Sequence, residues 1–308
     1  MGVRVFAPAT VANVACGFDV LGFAVDEPGD EVIMEKNDGK GVRIVEITGD
    51  DGRLSKDPAK NTVGVSVLKY LEHIGQPDLG IDIILHKKMP FGSGLGSSAA
   101  STVAGVFAVN ELLGKPLRQE ELLPFAIEGE RIACGAAHAD NVAPALYGGF
   151  VLIRSYEPLD VIRLNTPNDL FAAIVHPKVE VPTKDARSIL RANVPMQQAI
   201  QQWGNLAGLI AGLYQEDYDL IGRSIEDVII EPVRSILIPG YQDVKRVALE
   251  QGALGAGISG SGPSVFSLCK GEKSATAVGL AKKEMFAKYG IESDLFVSRV
   301  NQKGPVVL

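Results

Sequence analysis

The sequence predicts an α+β protein of two domains, on three observations. Strand-like and helical segments follow one another without a regular strand-helix-strand rhythm, which disfavours a doubly wound parallel sheet. The chain has 308 residues, 46% of them hydrophobic, enough for two cores of ordinary size. The best candidate for a membrane span, NLAGLIAGLY at 205–214, is about half the roughly 20 residues required.

Taken in order, residues 3–13, 30–36, 42–50 and 80–88 (VRVFAPATVAN, DEVIMEK, VRIVEITGD, GIDIILHKK) are rich in β-branched residues and broken by Gly, Asp or Pro, as strands are. A helix over 61–75 interrupts them. SSAASTVAGVFAVNELLGK at 97–115 is small and apolar at helical spacing, with Gly114 as its C-cap. Residues 121–133 continue as helix and 147–156 return to strand. A boundary is expected near Ser155 to Pro158, dividing the chain into 1–156 and 157–308. Beyond it come a strand at 169–177, helices at 197–215, 219–225 and 241–252, and two strands around a glycine turn within 252–269. A helix at 274–290 and a strand at 294–300 finish the pattern. There is no internal repeat.

A net charge of −7 argues against nucleic acid as a partner, because a polyanion binder concentrates Lys and Arg into a dominant patch. Small ligands fit better, phosphates included, since backbone N–H groups bind them without net positive charge. Cys16, Cys134 and Cys269 show no CxxC pair or zinc-type spacing, so all three read as reduced structural thiols. The N-terminus MGVRVFAPAT lacks the apolar core of a signal peptide, and Phe6 stands where myristoylation needs Ser or Thr, so the chain is expected in the cytoplasm.

PFGSGLGSSAA at 90–100 places three glycines and two serines between a strand and a helix. Glycines that turn N–H groups inward, followed by a helix N-terminus, make an anion nest. The alternative is a plain tight turn in which Ser97 or Ser98 caps the helix. No GK[ST] follows, so this is not a Walker A loop. GAGISGSG at 255–262 matches GxGxxG, but a strand follows where a dinucleotide site needs a helix.

APATVANVACGFDVLG (7–22), PFGSGLGSSAA (90–100) and GAGISGSGPSVFSL (255–268) together resemble, in order and spacing, the three signature motifs of the GHMP kinases. AxxANxxxGFDVLG, HADNVAP (138–144) and VPTKDAR (181–187) resemble the homoserine-specific branch of that family. The resemblance spans nearly the whole chain. It implies a GHMP kinase fold: an N-terminal domain like the second domain of ribosomal protein S5 and a ferredoxin-like C-terminal domain. It also implies ATP-dependent phosphorylation of the side-chain hydroxyl of L-homoserine on the route to threonine, with Mg²⁺, and it admits a homodimer.

The site residues follow from the same resemblance. ATP would lie along Pro90, Phe91, Gly92, Ser93, Gly94, Leu95, Gly96, Ser97, Ser98, Ala99 and Ala100, with Asn61 and Thr62 on the adenine side. Glu130 resembles the Mg²⁺-linked glutamate, with Ser97 or Ser98 adding a hydroxyl; Glu128 is the competing carboxylate. Arg187 and Arg234 match the residues that hold a carboxylate, a task suited to arginine forks. Asn13, Asp19 and His138 match the other substrate contacts. Asn141 would position the hydroxyl and Asp140 support it. Lys87 and Lys88 read as a solvated pair, and Cys16 as structural.

Two other classes compete with this reading. A mevalonate- or sugar-type GHMP kinase would share the motifs but not the amino-acid contacts. A non-catalytic binding paralogue would carry a damaged loop or lack the acidic residue, and both are intact here.

Overall fold

The computed structural model describes residues 2–134 and 138–308, the side chains of Ala133, Cys134 and Thr183 excepted, so the expected role of Cys134 lies outside the described residues. In chain order, β1 (Val3–Ala12), β2 (Leu21–Lys40) and β3 (Val42–Thr48) precede α1 (Thr62–His73), β4 (Leu79–His86), α2 (Ser97–Leu112), α3 (Leu123–Cys134), α4 (Ala139–Tyr147), β5 (Phe150–Tyr156) and β6 (Leu159–Leu164). The second half runs β7 (Leu170–Pro177), α5 (Thr183–Ser188), α6 (Met196–Gln215), α7 (Tyr218–Ser224), α8 (Glu231–Arg234), α9 (Tyr241–Glu250), β8 (Gly255–Ile258), β9 (Val265–Lys270), α10 (Glu272–Lys288), β10 (Ser293–Arg299) and β11 (Val306–Val307).

The first sheet has the order β11-β1-β2-β4-β3, with β5 added to β2 and β6 to β5; only β3 and β4 pair in parallel. β2 is far longer than the strand expected at 30–36. Its first part pairs with β1 and β5, and its second part with β1 and β4, around a register shift between Pro8 and Thr10. Pro28 and Gly29 sit at that bend, and such residues end a strand when it is read from sequence alone.

The second sheet, β10-β7-β9-β8, is antiparallel throughout. Helices link β7 to β8 and α10 links β9 to β10, which is the ferredoxin-like order. The expected division at 156/157 falls in the turn of the β5–β6 hairpin. β6 adds to the first sheet, so the change of sheet comes after Leu164. The two sheets share one apolar core: Phe23 of β2 lies 4.8 Å from Phe150 and 6.1 Å from Phe266 of β9, ring centre to ring centre.

α2 is the helix that matters for the site. It is buried nearly all round, which its run of Ser, Ala, Val and Gly permits. At its far end Gly114 has φ 82°, its N–H bonds to Glu111 O at 3.0 Å, and Lys115 N–H reaches Asn110 O at 2.7 Å. That is the Schellman closure expected of a glycine there.

Candidate active site

A cavity of about 430 Å³ is lined by residues from both halves of the chain. It brings together residues 90–98, Asn61, Thr62, Asn13, Asp19, Glu130, His138, Asp140, Asn141, Arg187 and Arg234. Ala99 and Ala100 are not among the lining residues; they are buried within α2.

At one end the loop at 90–96 leads into α2. Gly96 is the N-cap, at φ 68°, with no side-chain cap, and Ser97 and Ser98 are the first two helical residues. The alternative in which either serine caps the helix is therefore ruled out. The first bond within the helix runs from Ala100 N–H to Gly96 O at 2.8 Å, so the N–H groups of residues 97–99 have no helical acceptor and mark the positive end of the helix dipole. Two glycines are required by packing as well as by their φ. A Cβ on Gly94 would collide with Ser259 O, and one on Gly96 with Thr10 Oγ1 and Asn141 Oδ1. The contacts that force this closeness are polar. Ser259 Oγ donates to Gly94 O at 2.7 Å, Thr10 N to Leu95 O at 3.0 Å, and Thr10 Oγ1 to Asn141 Oδ1 at 2.8 Å.

Beneath the loop lies a buried ion pair that the sequence reading missed. Asp30, fully buried, pairs with Lys87 and accepts from Ser97 Oγ at 2.9 Å, Ser101 Oγ at 3.2 Å and Lys88 N at 2.9 Å. Lys87 also donates to Ser97 O at 2.9 Å. The solvated lysine pair thus separates into two roles: Lys87 is buried and anchors the start of α2, while Lys88 stays half-exposed and pairs with Glu31. The signal for Asp30 was available in strand alternation, which puts it on the same face as Val32 and Met34.

The other end of the cavity is built on unusual backbone. Asn13, Val14, Ala15 and Asp19 all have positive φ, at 71°, 41°, 56° and 60°, a conformation non-glycine residues rarely adopt and one that clusters at ligand sites. Asn13 holds the turn: Nδ2 donates to Gly260 O at 2.7 Å and Oδ1 accepts from Asp19 N at 3.0 Å. The Asp19 carboxylate accepts from Arg187 at 2.8 and 3.0 Å, and the same guanidinium nitrogen lies 3.1 Å from His138 Nε2.

Arg234 is different. It is 4% exposed and donates to Ala186 O at 3.0 Å and Gly260 O at 3.1 Å, with no carboxylate within ion-pair distance among the described residues. Both guanidiniums lie over the Phe18 ring, Arg234 at 4.9 Å and Arg187 at 5.6 Å from its centre. In the sequence Phe18 stands out only as part of the GFD motif.

Two carboxyl groups and a histidine complete the cavity. Burial pushes the Asp140 carboxyl up to about 7, with Asp19 and then Glu130 adding to the effect, and its Oδ1 has no hydrogen-bond partner among the described residues. Glu130 is buried and lines the cavity, whereas Glu128 is partly exposed and pairs with Arg131 at 3.5 Å. Burial, and then the nearby Arg187, lower His138 from the usual histidine value.

Asn61 lines the cavity but its side chain is occupied: it caps α1 through Val63 N at 3.1 Å and donates to Ser55 O at 2.8 Å. Cys16 is buried, its thiol pushed up to about 12 by burial, and has no character of a nucleophile.

Family models described as the GHMP kinases N terminal domain and GHMP kinases C terminal match residues 61–149 and 209–288. A homoserine kinase of Chlorobaculum tepidum is 52% identical, covering 98% of this chain and 97% of the relative. The chain belongs to the GHMP kinase family. A homoserine kinase of Arabidopsis thaliana is 41% identical, across 99% of this chain and 84% of that one. The crystal structure of a homoserine kinase from Cytophaga hutchinsonii superposes with a TM-score of 0.98 at 62% identity, over 100% of this chain and 97% of the other. A mevalonate kinase of L. major, solved with R-mevalonate, reaches 0.71 at 16% identity, over 96% and 95% of the two chains, and shares the fold. In GHMP kinase terms, the glycine loop, the AN…GFD turn and the GSGPS turn are one contiguous structure, because Gly94 and Asn13 both contact residues 259–262.

Proposed function

We propose that this GHMP kinase transfers the γ-phosphoryl group of ATP to the side-chain hydroxyl of L-homoserine, giving O-phospho-L-homoserine and ADP. The observation that carries the choice of acceptor is the Arg187–Asp19 ion pair beside the buried, carboxylate-free Arg234. An α-amino acid replaces that pair half for half. Its carboxylate takes Arg187 and Arg234 while its ammonium takes Asp19, so no charge is stranded. Mevalonate would occupy the arginines and leave Asp19 without its cation, next to Asp140; a sugar would leave Arg234 buried without an anion. Arg234 is without a carboxylate in the resting site too, so the preference rests on the substrate's ammonium replacing Arg187 at Asp19, a partly exposed pair whose loss costs only about 1 kcal/mol.

Phosphoryl transfer needs little covalent help, and positioning with charge stabilisation does most of the catalysis. The N–H groups at residues 97–99 and the loop backbone bind the triphosphate. Asn141, fixed through Thr10, orients the acceptor hydroxyl toward it. As the new O–P bond forms and the bond to ADP breaks, the hydroxyl proton passes to the transferred phosphate. Asp140, held near neutrality, supports the hydroxyl as a hydrogen-bond acceptor when ionised.

Hard oxygen donors suit Mg²⁺, and Glu130 with the Ser98 hydroxyl would hold it. Among the described residues no group of three His, Cys, Asp or Glu side chains is placed to hold a metal ion. When bound, the ion neutralises charge on the phosphates. We place the chain in the cytoplasm, with its ATP supply; among the described residues no helix is long and apolar enough to cross a membrane.

A comparison of ADP release with L-homoserine, mevalonate, galactose and shikimate tests the assignment. Turnover with homoserine alone is expected; no turnover with homoserine would overturn it.

A further inference from the structure

Asp227 and Gln202 are buried outside the active-site cavity, and the phosphoryl transfer uses neither. A buried carboxylate costs free energy unless it is paired or richly hydrogen-bonded. Asp227 is in no ion pair among the described residues; it accepts four hydrogen bonds instead. Oδ1 takes Gln202 Nε2 at 3.0 Å and the backbone N–H groups of Ile229 and Ile230 at 2.9 Å each, and Oδ2 takes the Glu231 N–H at 2.9 Å. These N–H groups belong to the turn that becomes α8, and the Arg234 N–H closes onto Ile230 O at 2.9 Å. A helix of four residues does not hold its shape unaided, so the direction in which Arg234 leaves it depends on Asp227.

Gln202, on α6, extends this arrangement to the facing wall. Its Nε2 also donates to Cys16 O at 3.1 Å, and its Oε1 accepts from Val228 N at 3.0 Å. Cys16 belongs to the turn in which Asn13, Val14, Ala15 and Asp19 have positive φ. One side chain therefore joins the turn that presents Phe18 and Asp19 to the segment that presents Arg234. The guanidinium meets the same turn from its other side: it lies over Phe18, and Gly260 O accepts from both Arg234 Nη1 and Asn13 Nδ2.

We propose, on the reading of the acceptor as an α-amino acid, that Asp227 and Gln202 are positioning residues for that acceptor. Together they fix where the Arg234 guanidinium stands relative to Asp19, and so set the spacing between the groups that take the substrate's carboxylate and its ammonium. Asp227 has a second effect. Burial lowers Arg234 from the ordinary arginine value; the charge of Asp19 opposes this, and so does that of Asp227. Asp227 supports the cation without bonding to it, which leaves the guanidinium donors to the substrate.

The test begins with the acceptor panel on the wild type, which judges the choice of acceptor; the variants are then measured with whichever alcohol is turned over. Asp227→Asn should raise the KM for the acceptor about tenfold and leave that for ATP within about threefold. In an Arg234→Met background the same substitution should cost less than about threefold more, because the residue it acts through is gone. A residue needed only for folding would lower the active fraction, and hence apparent kcat, with both KM values unchanged. Gln202→Leu cuts the link to the turn and leaves Asp227 in place; it should show the same selectivity at about fivefold, and it carries the test if Asp227→Asn does not fold. Three results would each overturn the proposal: an unchanged acceptor KM in both variants, equal rises for acceptor and ATP, or a full loss that persists in the Arg234→Met background.

Discussion

The two ends of the cavity are held in contrasting ways. At the phosphate end the geometry is set by backbone packing and by one fully buried ion pair: Gly94 and Gly96 are wedged against Ser259, Thr10 and Asn141, and Asp30–Lys87 fixes the first turn of α2. At the acceptor end the polar groups are partly exposed and pair with each other, Arg187 with Asp19, on a turn of strained residues. On the proposed reading, the phosphate end stands formed without a ligand, whereas the acceptor end holds a resting ion pair that the substrate exchanges for its own charges. The difference suits a kinase in which every family member binds the same triphosphate but each selects its own alcohol.

Substitutions separate these two modes. The largest effect is expected from Gly94→Ala, which adds both a backbone collision and an unfavourable φ of 73°. Loss of about 1000-fold or more in kcat/KM is expected whichever substrate is varied, with Gly92→Ala as the contrast. Gly92 has φ 61°, but its Cβ would meet nothing closer than Glu180 Cγ at 3.4 Å, so its loss should be tenfold at most, the cost of strain alone. Equal losses at the two glycines would break the claim that packing sets the loop.

Asp30→Asn comes next. It leaves Lys87 buried without its counter-charge, and about 3 kcal/mol of stability should be lost in urea unfolding, with a raised KM for ATP. An unchanged midpoint would show that the buried pair contributes nothing. At the acceptor end, Arg234→Met should raise the KM for homoserine about 100-fold and leave that for ATP within about threefold, since its proposed partner is only the substrate carboxylate. Arg187→Ala, at a half-exposed position, should show the same selectivity and a smaller effect, nearer tenfold. Equal losses for both ligands would contradict the division between the two ends.

The smallest effect concerns pH. Asp140 is held at about 7 in the folded chain, above the ordinary carboxyl value of 3.8, so the native state binds more protons than the unfolded state between those values. Stability from this group is therefore greatest in acid and declines as pH rises toward 7. Asp140→Asn should raise the melting temperature by a few degrees at pH 8, with the gain fading toward pH 4. A gain that grows in acid would reverse the sign and refute the assignment.

Much of this was legible in the residues. The AN…GFD, PFGSGLGSSAA and GSGPS segments are short local patterns whose order and spacing carry the resemblance to the family motifs, and the helices and strands of the C-terminal half follow their own periodicities. What could not be read locally was what depends on distant partners. Asp30 meets Lys87 across 57 residues, and Phe18 lies against arginines from α5 and α8. Which of Glu130 and Glu128 lines the cavity likewise depends on the orientation of α3. β2 was cut short because Pro28 and Gly29 end a strand by rule, whereas here they form its bend.

The central claim is that the acceptor end exchanges its Arg187–Asp19 pair for a zwitterion. It is tested most directly by comparing ADP release with L-homoserine and with 4-hydroxybutyrate, which keeps the hydroxyl and the carboxylate but lacks the ammonium. The account predicts kcat/KM about tenfold lower for 4-hydroxybutyrate, since the partly exposed Asp19 is then left without a cation; similar values for the two acceptors would contradict it.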